Sequence, residues 1–119
     1  MADELTLSGV LSFLKNGVKV SLDLGTLEFD VSGDKYVHAV QTVGTSEEAI
    51  GIGDLGTLGF AVFVNRDDTN FCEIRPGTGT ADLIKLKPGE FALFRFTMNT
   101  PYIIADTDSV LVEYVIIEN

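Results

Sequence analysis

From Leu5 onward the chain alternates: Leu5, Leu7, Leu11 and Phe13 are spaced by Thr6, Ser8 and Ser12, a period of two that puts the apolar set on one face of a strand. Gly9 falls on that apolar side, where a strand glycine marks a bulge or a close backbone approach. Asn16-Gly17 is the strongest short signal for a type I′ hairpin turn, and beyond it Val18, Val20, Leu22 and Leu24 alternate with Lys19, Ser21 and Asp23. The chain therefore opens with a hairpin. Leu27, Phe29 and Val31 continue beyond a kink at Gly25.

The same period runs through most of the remaining chain. After Ser32-Gly33-Asp34 comes a strand over 35–43, with Val37, Ala39 and Val43 suited to a core and Tyr36, His38 and Gln41 divided between rim and solvent. Residues 44–48 (GTSEE) hold the best helix-start signal, yet Gly51 and Gly53 arrive too soon for more than one turn. Residues 49–54 read as a short strand or extended loop. Four short apolar segments then occupy 59–65, 70–75, 81–87 and 90–96, bounded by Asn, Asp, Gly and Pro, and the simplest object they make is one antiparallel sheet. Residues 102–105 read as a loop docked on the core. The last strand, 110–117, is apolar on both faces apart from Glu113, which suits a central position.

These patterns predict an all-β fold: a single-domain antiparallel β-sandwich, jelly-roll-like, of eight to nine short strands over residues 1–119. Residues 1–15 read as an N-terminal arm or edge strand. A chain of 119 residues suits one domain and buries roughly two thirds of its unfolded surface. The segments 23–29 and 54–60 agree at six of seven positions, but their flanks do not repeat, so the echo reads as a reused turn rather than as a solenoid.

Charge and composition narrow the partners. Eighteen acids against eight bases leave a net charge of −10, which repels nucleic-acid phosphates and anionic lipid. No basic, apolar leader opens the chain, so neither a signal peptide nor a membrane span is expected. Cys72 is the only cysteine, alternating with Ile74, and reads as a buried thiol in a protein that matures in a reducing compartment.

Candidate chemistry is sparse. Residues 51–56 (GIGDLG) match the dinucleotide-binding glycine spacing, but no helix follows and Asp54 would face the phosphates. A single histidine, His38, cannot build a His-rich metal site, and no G-x-S-x-G elbow singles out a nucleophile. The acid pairs Asp67-Asp68 and Asp106/Asp108 read as turn chemistry, with Ca²⁺ chelation by two loops as the alternative. Arg95 lies inside an apolar strand, where Glu73 or Glu113 would satisfy it. No catalytic, cofactor or metal residue is assigned.

Four stretches carry a resemblance: 59–65 (GFAVFVN), 68–74 (DTNFCEI), 86–90 (LKPGE) and 112–118 (VEYVIIE), with 41–48 and 53–57 alongside. Over about residues 35–118 the sequence resembles small virion proteins of tailed bacteriophages, and among them the capsid decoration, or cement, class. That resemblance implies a non-enzymatic subunit on the outer capsid surface, assembled in the bacterial cytoplasm. It implies binding to the major capsid protein of a phage and formation of a homo-oligomer, a trimer being favoured. A carbohydrate- or receptor-binding sandwich of a tail or head fibre is the alternative, with Tyr36, Tyr102, Phe60 and Phe71 as stacking faces. For the interface, the residues singled out are Asp3, Leu5 and Leu7 on an arm reaching a neighbour, Arg66, Asp67 and Asp68 at a hairpin tip, and Arg75 beside it.

Overall fold

The computed structural model describes residues 4–119. The chain divides after Ser32 into two units, residues up to Ser32 and Gly33–Asn119. Every described strand is paired antiparallel and no helix forms among the described residues, so none is long and apolar enough to cross a membrane.

The first unit is a two-stranded sheet of β1 (Leu5–Lys15) and β2 (Val18–Phe29). Asn16 and Gly17 both take positive φ, 51° and 79°, as a type I′ turn requires. Between Ser8 and Val10 the register shifts, because β1 spans the gap with Gly9 while β2 spends both Leu24 and Gly25. Gly25 sits at φ 66° and donates its N–H to the Asp23 carboxylate at 2.8 Å, which closes the bulge. The kink expected at Gly25 is this bulge, an inserted residue within one continuous strand. The insertion has a consequence for both faces. Leu5, Leu7, Leu11 and Phe13 stay opposite Phe29, Leu27, Leu22 and Val20, so one face of the hairpin is apolar up to Lys15 beside the turn. The other is mixed: Thr6, Ser8 and Ser12 meet Glu28, Thr26 and Ser21, while Val10 and Leu14 meet Asp23 and Lys19.

The second unit is a sandwich of two four-stranded sheets. One contains β3 (Tyr36–Val43), β10 (Val110–Glu118), β5 (Leu58–Asn65) and β8 (Phe91–Arg95), in that order. The other contains β4 (Glu48–Ala49), β9 (Tyr102–Ala105), β6 (Cys72–Arg75) and β7 (Ile84–Leu86). The pairings 3–10, 4–9, 5–8 and 6–7 describe a long antiparallel ribbon, wound so that β10 also meets β5 and β9 meets β6. That is the eight-strand jelly roll.

Two expectations change here. The four segments between 59 and 96 do not form one sheet; β5 and β8 lie in the first and β6 and β7 in the second. Residues 102–105 are not a docked loop but β9, an interior strand, because Ile103 and Ala105 face the core at 1% and 4% exposure. Residues 44–47 stay within the expected limit of one helical turn and make none; the Glu48 carboxylate accepts the Gly44 N–H at 2.9 Å and the Gln41 side-chain N–H at 2.9 Å.

The core lies between these two sheets. Phe63, wholly buried on β5, stacks on Tyr114 with centroids 5.1 Å apart and on Phe94 at 5.8 Å, and meets Phe96 edge-on at 6.0 Å. Val43, Ile74, Ile103, Val110, Val112 and Ile116 fill the space around it. Gln41 also turns inward. Its side chain serves Glu48, the Ala49 carbonyl, the Gly51 N–H and the Tyr114 hydroxyl, so its polarity is fully met.

Candidate functional site

Because alternation sends every second residue outward, the first sheet of the sandwich has an outer face, and it is unusually apolar. Val40 on β3, Leu111 on β10, and Phe91 and Leu93 on β8 are exposed by 56, 43, 67 and 38%, with Val62, Val64 and Val115 half-buried between them. Of the residues these four strands turn outward, Glu113 is the only acid. In a chain of net charge −10, this face has been kept clear of negative charge.

Glu113 is itself neutralised. Arg66, one residue past β5, reaches back along the face with Nη2 2.8 Å and Nε 2.9 Å from Glu113 Oε1, a forked contact. His38, on the other side of β10, donates from Nε2 to Glu113 Oε2 at 2.8 Å. The His38 and Arg66 hydrogen bonds hold the Glu113 carboxyl below the ordinary glutamate range. A histidine held by a carboxylate is two thirds of a hydrolytic triad. Yet the depression of about 210 Å³ around the pair is lined by Val62, Val64, Val115, Tyr114 and Arg66, with no serine, threonine or cysteine. The geometry supplies an ion-paired centre on an apolar surface.

The loop 66–71 stands at the end of the sandwich where four connections between the sheets meet. Asn65 organises it. Wholly buried, it donates from Nδ2 to the Asn70 and Leu86 carbonyls at 3.0 and 2.9 Å, and its Oδ1 accepts the Asp67 N–H at 2.8 Å. Asp67 in turn accepts the N–H groups of Thr69 and Asn70, at 3.0 and 2.7 Å, and Asp68 accepts the Thr69 hydroxyl at 2.9 Å. Thr107 bridges to Asn70 from the 106–109 turn, where Asp108 accepts the Ser109 N–H. Asp67, Asp68 and Asp108 are thus spent on their own loops, and no group of three or more His, Cys, Asp or Glu that would hold a metal forms among the described residues.

Arg75 lies at the far end of β6 from that loop, on the outer face of the second sheet. It donates to Glu47 Oε2 at 2.8 Å and to Asp82 Oδ1 at 2.5 Å, while Thr78 and Gly79 donate to Glu47 from the β6–β7 loop. The loop is tied down across the sheet by one glutamate. Its hydrogen bonds, from Thr78 first and then Arg75, depress the Glu47 carboxyl. Nearby, a cavity of about 220 Å³ opens between the two sheets, walled by Ile74, Ile84, Phe94, Phe96 and Met98, with Arg75 and Arg95 also lining it. Arg95 finds neither Glu73 nor Glu113. It bonds Asn119 Oδ1 at 3.1 Å and covers the Phe60 ring at 4.8 Å, because it pairs with Phe60 at one end of β5 whereas Glu113 lies level with Val64 at the other.

No protein-family model matches the chain, and no curated protein or solved structure matches it.

The interface residues singled out from the sequence therefore fall into separate places. Asp3 lies outside the described residues. Leu5 and Leu7 begin the apolar face of the hairpin, half-buried. Arg66, Asp67 and Asp68 share one loop, and Arg75 stands apart from them. The apolar outer face of the first sheet escaped the sequence reading, although Val40, Val62, Val64 and Val115 all sit at every-second positions opposite the core set. What concealed it is that an outward valine and an inward valine look alike until the sheet has a partner on one side only.

Proposed function

We propose that this protein is a non-enzymatic structural subunit of a bacteriophage virion that binds the outer capsid shell and stabilises it. The observation that carries the reading is the outer face of the β3–β10–β5–β8 sheet: a four-stranded apolar surface whose single acid is cancelled by Arg66, on a chain otherwise strongly negative. Such a surface suits docking on another protein, because its apolar centre contributes burial while the remaining acids keep the rest of the subunit soluble. The major capsid protein is the partner this reading assigns. The jelly roll behind the face is tied by hydrogen bonds at its loops, as a bracket under load requires. Repeated over a shell, modest contacts of this kind add through high effective concentration.

Fibre-type glycan binding is the weaker reading. It needs several free aromatic faces, and Phe71 carries the Lys85 ammonium 3.9 Å above its ring while Phe60 carries Arg95, which leaves Tyr36 as the one well-exposed ring of the four candidates. The test is co-sedimentation of the purified protein with undecorated phage capsids. Saturable binding at micromolar concentration that is lost in Val40→Lys and Phe91→Asp, both exposed positions, is the expected result. An absence of binding, or saturable hits on a glycan array instead, overturns the proposal.

A further inference from the structure

The hairpin of β1 and β2 turns an apolar face to solvent. Val18, Val20, Leu22, Leu24 and Leu27 of β2 are exposed by 41 to 58%, and Leu11 and Phe13 of β1 by 59 and 49%. An isolated two-stranded hairpin is marginal in water, and among the described residues this sheet has no third strand. We propose that the apolar face of the hairpin is covered by the same face of a second copy of this chain, packed antiparallel about a two-fold axis.

Area and charge both point to that occupant. Side chains of this size exposed to this degree present about 100 Å² each, so the seven amount to ~700 Å², close to the ~800 Å² per partner of a standard stable interface. Two copies each carrying −10 repel one another, but residues 5–29 hold Lys15, Lys19, Asp23 and Glu28 and are neutral as a set. The hairpin is thus a segment on which two such subunits approach with little of that cost. Lys15 is the one charge on the apolar face, at the turn end opposite Val18, whereas Lys19 and Glu28 stand on the mixed face opposite Leu14 and Thr6. Parallel stacking, as in a three-fold bundle of arms, would set each Lys15 beside its copies. An antiparallel pair holds the two Lys15 side chains at opposite ends of the contact, and this favours a two-fold dimer over a trimer. The inserted Gly25 gains a role in this arrangement, since without it the apolar sets of β1 and β2 would not share one face.

The experiment is light scattering of the full chain over a concentration series, with variants on each face of the hairpin. The wild type is expected at twice 12.9 kDa. Leu11→Lys with Val20→Lys should give the monomer mass, while Ser12→Lys with Ser21→Lys, on the opposite face, should leave the dimer. Because lysines on the apolar face also risk undoing the hairpin, cross-linking of single-cysteine variants on a Cys72→Ala background gives a second readout. Val18→Cys mixed with Leu27→Cys should cross-link, and Val18→Cys alone should not. A wild type still monomeric at high-micromolar concentration overturns the proposal, and so does a trimer or self-cross-linking of Val18→Cys. A dimer that survives the Leu11/Val20 pair but is lost in Val40→Lys places the contact on the sandwich and also overturns it. The capsid reading fails separately, by absence of co-sedimentation with the dimer intact.

Discussion

The side chain of Asn65 donates to the main-chain carbonyl of Leu86 at 2.9 Å, joining the end of β5 in one sheet to the end of β7 in the other. With its bonds to Asn70 and Asp67, this wholly buried amide settles two carbonyls and one N–H at the end of the sandwich. Removing it in Asn65→Ala leaves those groups without partners, and a loss of about 2–4 kcal/mol is expected in urea titrations. Asn65→Asp is expected to be worse at neutral pH, since a carboxylate would face both carbonyls, and to recover partly on acidification. An aspartate as stable as the wild type would contradict this account.

Acid stability should track Glu113 and Glu47. Both carboxyls are depressed in the folded protein, Glu113 by His38 and then Arg66, Glu47 by Thr78 and then Arg75. The sign follows from linkage: the unfolded state takes up protons at higher pH than the native one, so the stabilisation is whole above the ordinary glutamate range and fades as pH falls through the depressed values. Chemical denaturation midpoints measured from pH 7 down to pH 3 should therefore fall less steeply in Glu113→Gln, and less again with Glu47→Gln added. Parallel curves for all three proteins would show that these pairs contribute nothing.

The thiol of Cys72 should be inert in the native protein. It is wholly buried on β6, and burial, with Glu73 adding to it, pushes its pKa up to about 11. A thiol reagent at pH 8 is expected to label the unfolded chain at once and the native protein only as fast as it opens. Immediate stoichiometric labelling under native conditions would place the side chain at the surface.

The β6–β7 loop should loosen without Arg75. A lysine there offers one compact charge in place of a fork that reaches both Glu47 and Asp82, so Arg75→Lys and more so Arg75→Leu should expose residues 76–83. A broad-specificity protease is expected to cut the variants within that span faster than the wild type, with the sandwich otherwise intact. Equal cutting rates would mean that Thr78 and Gly79 hold the loop on their own.

Much of the strand pattern was legible in local sequence. Period-two sets placed β1, β2, β3, β5 and β10, and Asn16-Gly17 and Pro88-Gly89 marked turns; at the latter Glu90 donates to the Lys87 carbonyl at 2.9 Å across Gly89 at φ 82°. The candidate site was legible only in part. Arg66 was visible as a loop arginine, but its partner Glu113 lies 47 residues away in sequence.

The identical pentapeptides 23–27 and 54–58 show where local sequence stops. Leu24 is 45% exposed in a bulged strand beside Gly25 at positive φ, whereas Leu55 is 6% exposed in the connection between β4 and β5. Alternation and turn chemistry, which depend on neighbours within a few residues, determined that the chain is built of antiparallel strands and where most of them lie. Which strands share a sheet, which valines face outward, and which arginine meets which acid were decided by pairings between distant segments. The physical reason is that each strand offers the same backbone donors and acceptors to any neighbour, so the choice among neighbours rests on burying all the apolar faces at once.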